Sequence, residues 1–151
     1  MDKPKLVLLV EDNELCTKYF TTVLEGAFGC TVHCVKDGDS ALRFLETIRP
    51  DLIQMDIQLP QISGWETIGM IGSKPALDGI PICVVTASGL VFPELIGEER
   101  RRAAEEMMKP VVLADYVQMI ARQLFQVGQE EAQRIGTLLR ATWKHSPQTL
   151  H

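Results

Sequence analysis

Short apolar runs recur along this chain, and each is cut off by a polar residue. Lys5–Val10 stops at Glu11-Asp12, Leu52–Met55 at Asp56, Ile82–Val85 at Thr86, and Met107-Met108 at Lys109. Runs so short and continuous read as strands covered on both faces, the pattern of a parallel sheet. Helical patterns lie between them. Asn13 is placed to cap a helix from Glu14 to about Glu25, with Leu15, Cys16, Tyr19, Phe20, Val23 and Leu24 at helical spacing. Cys30–Val35 reads as another strand. Asp37-Gly38-Asp39 then turns into a helix carrying Ala41, Leu42, Phe44, Leu45 and Ile48, stopped by Pro50. Gly64–Ile71 reads as a short helix and Gly72–Pro81 as a loop. A helix mixing acids and bases spans Glu98–Glu106, Met107–Lys109 is the fifth strand, and Leu113–Phe125 is a well-patterned helix. Strand and helix thus alternate five times. The expected fold is α/β, a parallel sheet with helices on both faces and right-handed crossovers.

The chain has 151 residues, 46% hydrophobic and 23% charged, which suits one domain with a real core. A formal net charge of −5 argues against a nucleic-acid surface. No apolar run is long enough to span a bilayer. At the start, M-D-K-P-K-L-V-L-L-V-E-D brings acids where a leader would need small residues, so a strand in a cytoplasmic protein is expected. The cysteines Cys16, Cys30, Cys34 and Cys83 form no C-x-x-C pair, and Cys30 and Cys34 are spaced for one face of a strand. They read as reduced and mostly buried. His33, His145 and His151 are isolated and offer no ligand pair.

The end of the chain reads as a helix, with Glu130-Glu131 first and Arg140, Lys144 and His145 last, which suits the helix dipole. Residues 1–127 are expected to form the main domain, and 128–151 a helical extension with no separate output domain. Ile135, Leu138, Leu139 and Trp143 share one face of this extension. An isolated amphipathic helix is marginal in water. That face should therefore fold back on the core or pair outside the chain, and self-association or partner docking is the favoured expectation.

In a parallel sheet the polar strand ends share one rim, where open α/β sheets bind ligands. Glu11, Asp12 and Asp56 crowded there would raise one another's pKa unless a cation sat among them. A hard divalent ion with oxygen ligands, Mg²⁺, resolves that conflict. Lys109 adds a mobile positive charge and Thr86 a hydroxyl. The set suits phosphoryl transfer to Asp56, a reaction that needs positioning and charge neutralisation above all.

The residues V-E-D-N (Val10–Asn13), M-D-I-Q-L-P-x-x-S-G (Met55–Gly64), V-T-A (Val85–Ala87) and K-P (Lys109-Pro110) stand in this order and spacing. From Lys5 to about Phe125 the chain resembles a response-regulator receiver domain, the phosphoacceptor of two-component signalling. The resemblance implies a flavodoxin-like doubly wound five-stranded sheet of order 2-1-3-4-5. It implies Mg²⁺ held by Asp12 directly, by Glu11 through water, by Asp56, and by the Gln58 carbonyl. It further implies that Asp56 takes the phosphoryl group and that Thr86, Lys109 and the Ala87 backbone contact it. The donor would be a sensor histidine kinase or a histidine phosphotransfer protein. The chain would then be a stand-alone response regulator that signals to a downstream protein target. It would not be an enzyme beyond Mg²⁺-dependent self-phosphorylation and self-dephosphorylation. Nucleic acid and membrane are not expected as partners; a homodimer through the C-terminal helix is.

Two features depart from the family pattern. The family usually has Tyr or Phe three residues before the conserved Lys, where this chain has Glu106, and the usual Gly-Ala before the last strand is missing. A phosphoryl group would still pull Thr86 inward, with the output face rearranging through the Leu90–Glu106 segment. Gln54 puts an amide in an apolar run; it is expected to be buried against backbone or edge-facing, with a partner contact as the alternative. Leu90, Val91 and Phe92 read either as core under the fourth helix or as a partner patch, the patch being favoured because Pro93 interrupts a regular helix. A second reading is a receiver-like adaptor that does not switch by phosphorylation. A third, a flavin protein or phosphohydrolase on the same fold, is disfavoured because E-D-N stands where a phosphate-cradling loop would.

Overall fold

The alternation of β1 (Leu6–Val10) sets the layering of the molecule. Val7 and Leu9 enter one apolar cluster, and Leu8 and Val10 enter the other, because successive strand side chains point to opposite faces. The computed structural model describes residues 3–87 and 97–143. Leu90, Val91, Phe92 and Pro93, and the chain end with Lys144, His145 and His151, lie outside the described residues.

The order is β1, α1 (Glu14–Phe28), β2 (Thr31–Val35), α2 (Gly38–Leu45), β3 (Leu52–Met55), α3 (Gly64–Gly72), β4 (Ile82–Thr86), α4 (Gly97–Arg102), β5 (Glu105–Met108), α5 (Leu113–Phe125) and α6 (Gln129–Thr142). A short 3-10 turn at Pro75–Leu77 interrupts the loop before β4. The five strands are all parallel and ordered β2-β1-β3-β4-β5, as expected. Phe20, Val23 and Leu24 of α1 and Tyr116, Val117 and Ile120 of α5 cover one face. Ala41 and Leu45 of α2 and Trp65, Ile68 and Ile71 of α3 cover the other.

The helix expected over Glu98–Glu106 is much shorter. It ends at Arg102, and Glu105 already lies in β5, which stops at Met108 and leaves Lys109 just beyond it. Glutamate favours helix when isolated, but tertiary contacts override so small a preference. Cys83 and Val84 of β4 pair with Glu105 and Glu106. The Glu105 carboxylate is also gripped by Arg122 at 2.8 and 3.0 Å and by Gln123 at 2.7 Å, both from α5.

Gln54 is buried, but at neither of the expected places. It sits mid-sheet, between Leu9 of β1 and Cys83 of β4, and its amide oxygen accepts a hydrogen bond from the Tyr116 hydroxyl at 2.5 Å. Two otherwise costly polar groups satisfy each other across the core. Replacing Tyr116 with Phe leaves that amide oxygen unpaired and should cost about 1–3 kcal/mol, read from the shift of the urea midpoint at constant m.

All four cysteines are free thiols. Cys30 and Cys83 are buried and Cys16 partly so, but Cys34 is exposed, because β2 is an edge strand and only Cys30 tucks beneath α1.

α6 folds back on its own chain. Ala132 and Gly136 are buried, with Gly136 close to Val117 and Gln118 of α5. Gln129 donates to Gln118 at 3.0 Å and accepts from Arg122. Leu139 and Trp143 pack on the core. A Cβ on Gly26 of α1 would fall 2.7 Å from the indole Nε1 of Trp143, so the absence of a side chain there lets the indole dock. Leu139 and Trp143, two of the four residues of the face expected to pair outside the chain, are thus spent internally, while Leu138, at 63% exposure, is left outward.

Candidate functional site

The parallel ladder carries the polar residues at the strand ends to one rim. The Glu11 amide donates to the Val35 carbonyl at 3.0 Å, and the Asp56 amide to the Val10 carbonyl at 3.0 Å. The Lys109 amide donates to the Thr86 carbonyl at 2.9 Å. β1, β2 and β3, and separately β4 and β5, are therefore still hydrogen-bonded at the point where their polar residues emerge.

Glu11, Asp56 and Thr86 are buried, whereas Asp12 is exposed. One carboxylate oxygen from each of Glu11, Asp12 and Asp56 lies within 4.8 Å of the others. The Lys109 ammonium sits against two of the acids, 2.6 Å from Glu11 Oε1 and 3.1 Å from Asp56 Oδ2. The other oxygen of Asp56 accepts the Gln58 amide hydrogen at 3.2 Å. Asn13 caps α1 through the Cys16 amide at 2.9 Å, and its own amide donates to Glu11 Oε2 at 3.2 Å. On the far side, α3 begins hard against the acceptor strand. A Cβ on Gly64 would lie 2.2 Å from the Asp56 carbonyl oxygen, so only glycine permits this approach.

Burial pushes the Glu11 carboxyl up to about 7; the Lys109 hydrogen bond opposes this and the Asp56 charge adds to it. Burial alone would lower the Lys109 pKa, but the Glu11 hydrogen bond and the Asp56 charge overcome it and raise it above the usual lysine range. One lysine thus contacts two of the three acids, and burial pushes one of those two, Glu11, up to about 7. Such a donor set suits a hard divalent cation. Glu11, Asp12 and Asp56 would hold Mg²⁺, all through oxygen.

The sign of the Glu11 shift gives a pH prediction. Its folded pKa lies above the unfolded value of 4.5, so its contribution is fully present below 4.5 and is lost as pH rises through about 7. The metal-free protein should lose on the order of 3 kcal/mol between those limits from this group. Denaturant titrations across that range check it, and saturating Mg²⁺ should flatten the trend.

Asp12, Asp56, Gln58, Ala87 and Lys109 all line one cleft of about 400 Å³. Thr86 is the last residue of β4, directly before Ala87, which lines the cleft. Glu106 lies away from this cleft, exposed, and accepts from the Arg100 Nε of α4 at 2.7 Å. Cys16 also lines the cleft, which sequence reasoning missed. The available signal was its place in the first turn of α1, directly after the acids that end β1.

Residues 7–121 match the family described as the response regulator receiver domain. The chain is 36% identical over 119 residues to the polar-differentiation response regulator DivK of Brucella anthropi, covering 78% of this chain and 94% of that one. Its structure is similar to the receiver domain of a sensor histidine kinase from Pseudomonas aeruginosa PAO1, solved with a magnesium ion in the active-site cleft. The TM-score is 0.72 at 27% identity, over 82% of this chain and 99% of that one. A phosphorylated cyanobacterial phytochrome response regulator shares the fold with a TM-score of 0.63 at 22% identity, over 99% of this chain and 100% of that one. Among the described residues no helix is long and apolar enough to cross a membrane.

Proposed function

The chain belongs to the response regulator receiver domain family, and on that premise we propose that Asp56 accepts a phosphoryl group from a phosphohistidine on a sensor kinase or phosphotransfer protein and that the chain signals by protein–protein contact. The observation that carries this reading is the Asp56 carboxylate itself. It is buried at the sheet rim, with Oδ1 held by the Gln58 amide, Oδ2 by Lys109, and two further acids within 4.8 Å. An Asp56 oxygen would attack phosphorus as the donor P–N bond breaks, and the departing imidazole nitrogen keeps the electron pair and takes a proton from solvent. Gln58 orients the carboxylate for this attack. Lys109 would neutralise oxygens on the transferred group, and Thr86 and the Ala87 amide would contact them. Mg²⁺ held by Glu11, Asp12 and Asp56 would supply the remaining charge neutralisation. Kinship with a response regulator and the acidic cleft support a signalling role.

Incubation with acetyl phosphate and Mg²⁺ should add ~80 Da, the HPO₃ unit, to the intact mass, and chelation of the metal should prevent it. No gain with any donor would favour a receiver-like adaptor that does not switch by phosphorylation. The Arg100–Glu106 pair, standing where the family carries an aromatic residue, is the observation on that side.

A further inference from the structure

We propose that the Arg100–Glu106 ion pair is a latch that favours the unphosphorylated conformation of the site; this rests on Asp56 being the phosphoacceptor. β5 places two successive glutamates on opposite faces of the sheet. Glu105 is bound by Arg122 and Gln123 of α5 on one side, while Glu106 is bound by Arg100 of α4 on the other. α4 has anchors of its own that do not involve β5. The Arg102 guanidinium holds the Ile80 and Leu77 carbonyls at 2.9 and 3.1 Å, Glu99 packs beside Gly69 of α3, and Ala103, just past the end of α4, packs on the α3-side core. Glu106, in contrast, moves with β5, three residues before Lys109. The Arg100–Glu106 contact therefore spans two bodies with different anchors.

A phosphoryl group on Asp56 adds negative charge where Lys109 now bridges Glu11 and Asp56 at 2.6 and 3.1 Å. Lys109 must leave that bridge to meet the new oxygens. Its amide is bonded to the Thr86 carbonyl, and Met108 pairs with Thr86, so the ends of β4 and β5 shift together. That shift moves Glu106 against a fixed α4 and weakens its bond to Arg100. An interaction stronger in one state than in the other must shift ligand affinity by that difference, and the coupling is reciprocal.

The test uses the full chain, Mg²⁺ and beryllofluoride as the phosphoryl analogue, with affinity read by calorimetry. Arg100→Gln and Glu106→Gln should each tighten beryllofluoride binding about threefold, within the range of a part-exposed ion pair. The exchanged pair Arg100→Glu with Glu106→Arg should return the affinity to the wild-type value. The two single changes alter net charge in opposite directions, so tightening in both separates the latch from a long-range field effect. Unchanged or weaker binding in either single variant, or an exchanged pair that stays tight, overturns the latch while leaving the phosphoacceptor reading intact. A wild type that binds no beryllofluoride with Mg²⁺ overturns the phosphoacceptor reading, and the latch with it.

Discussion

Asp56→Asn should show no mass gain from acetyl phosphate and Mg²⁺, while Asp51→Asn should gain as the wild type does. The two acids bracket the same strand and differ in everything the chemistry needs. Asp56 is buried at the rim among Glu11, Asp12 and Lys109. Asp51 is exposed at the other end of β3, where its Oδ2 accepts the Leu6 amide hydrogen at 2.7 Å. An amide at position 56 keeps the shape and an oxygen for the Gln58 N–H, but it lacks the anionic oxygen that attacks phosphorus. It also removes one of three crowded acids while Lys109 keeps Glu11 at 2.6 Å, so the fold should hold, with an unchanged urea midpoint as the check. At position 51 the asparagine carbonyl can still accept from Leu6. A gain retained by Asp56→Asn would move the acceptor elsewhere.

Lys109→Met should have the largest effect on stability. Lys109 is the cation between Glu11 and Asp56, with its side chain only 11% exposed. Removing one partner of a buried charge cluster leaves the others uncompensated, at a cost of about 3–5 kcal/mol. Two things should reduce that loss. At acid pH Glu11, which burial pushes up to about 7, is protonated, so less charge is left uncompensated. With Mg²⁺ the metal supplies the missing charge, and binding to the folded state adds stability by mass action. Urea titrations at neutral and acid pH, with and without Mg²⁺, should therefore show a deficit that is greatest for the metal-free protein at neutral pH. A deficit equal under all conditions would mean that the lysine matters for its packed methylenes and not for its charge.

The strand ends were legible because each apolar run stops abruptly, and a parallel sheet brings such stops to one rim. Glu11, Asp12, Asp56, Thr86 and Lys109 could thus be placed together before any contact was visible. The α4–β5 boundary was not legible. Glu105 and Glu106 carry helix-favouring side chains, and what makes them strand is pairing with β4, with Arg122 of α5 and Arg100 of α4 holding their carboxylates. Gln54 stands out as an amide in an apolar run, but its partner Tyr116 lies 62 residues away on another element. The docking of α6 was open for a similar reason. It depends on Gly26 and Gly136 leaving room for Trp143 and α5, a steric fit between segments that local pattern does not encode.

We propose that Asp56 carries the phosphoryl group. This is tested most directly by incubating the protein with acetyl phosphate and Mg²⁺, reducing with borohydride, and sequencing the peptides by mass spectrometry. Borohydride converts an aspartyl phosphate to homoserine and leaves a free carboxylate untouched. Homoserine at position 56 alone is the predicted result. Homoserine at Asp12 or Asp51, or phosphate that resists borohydride on a hydroxyl side chain, would contradict it.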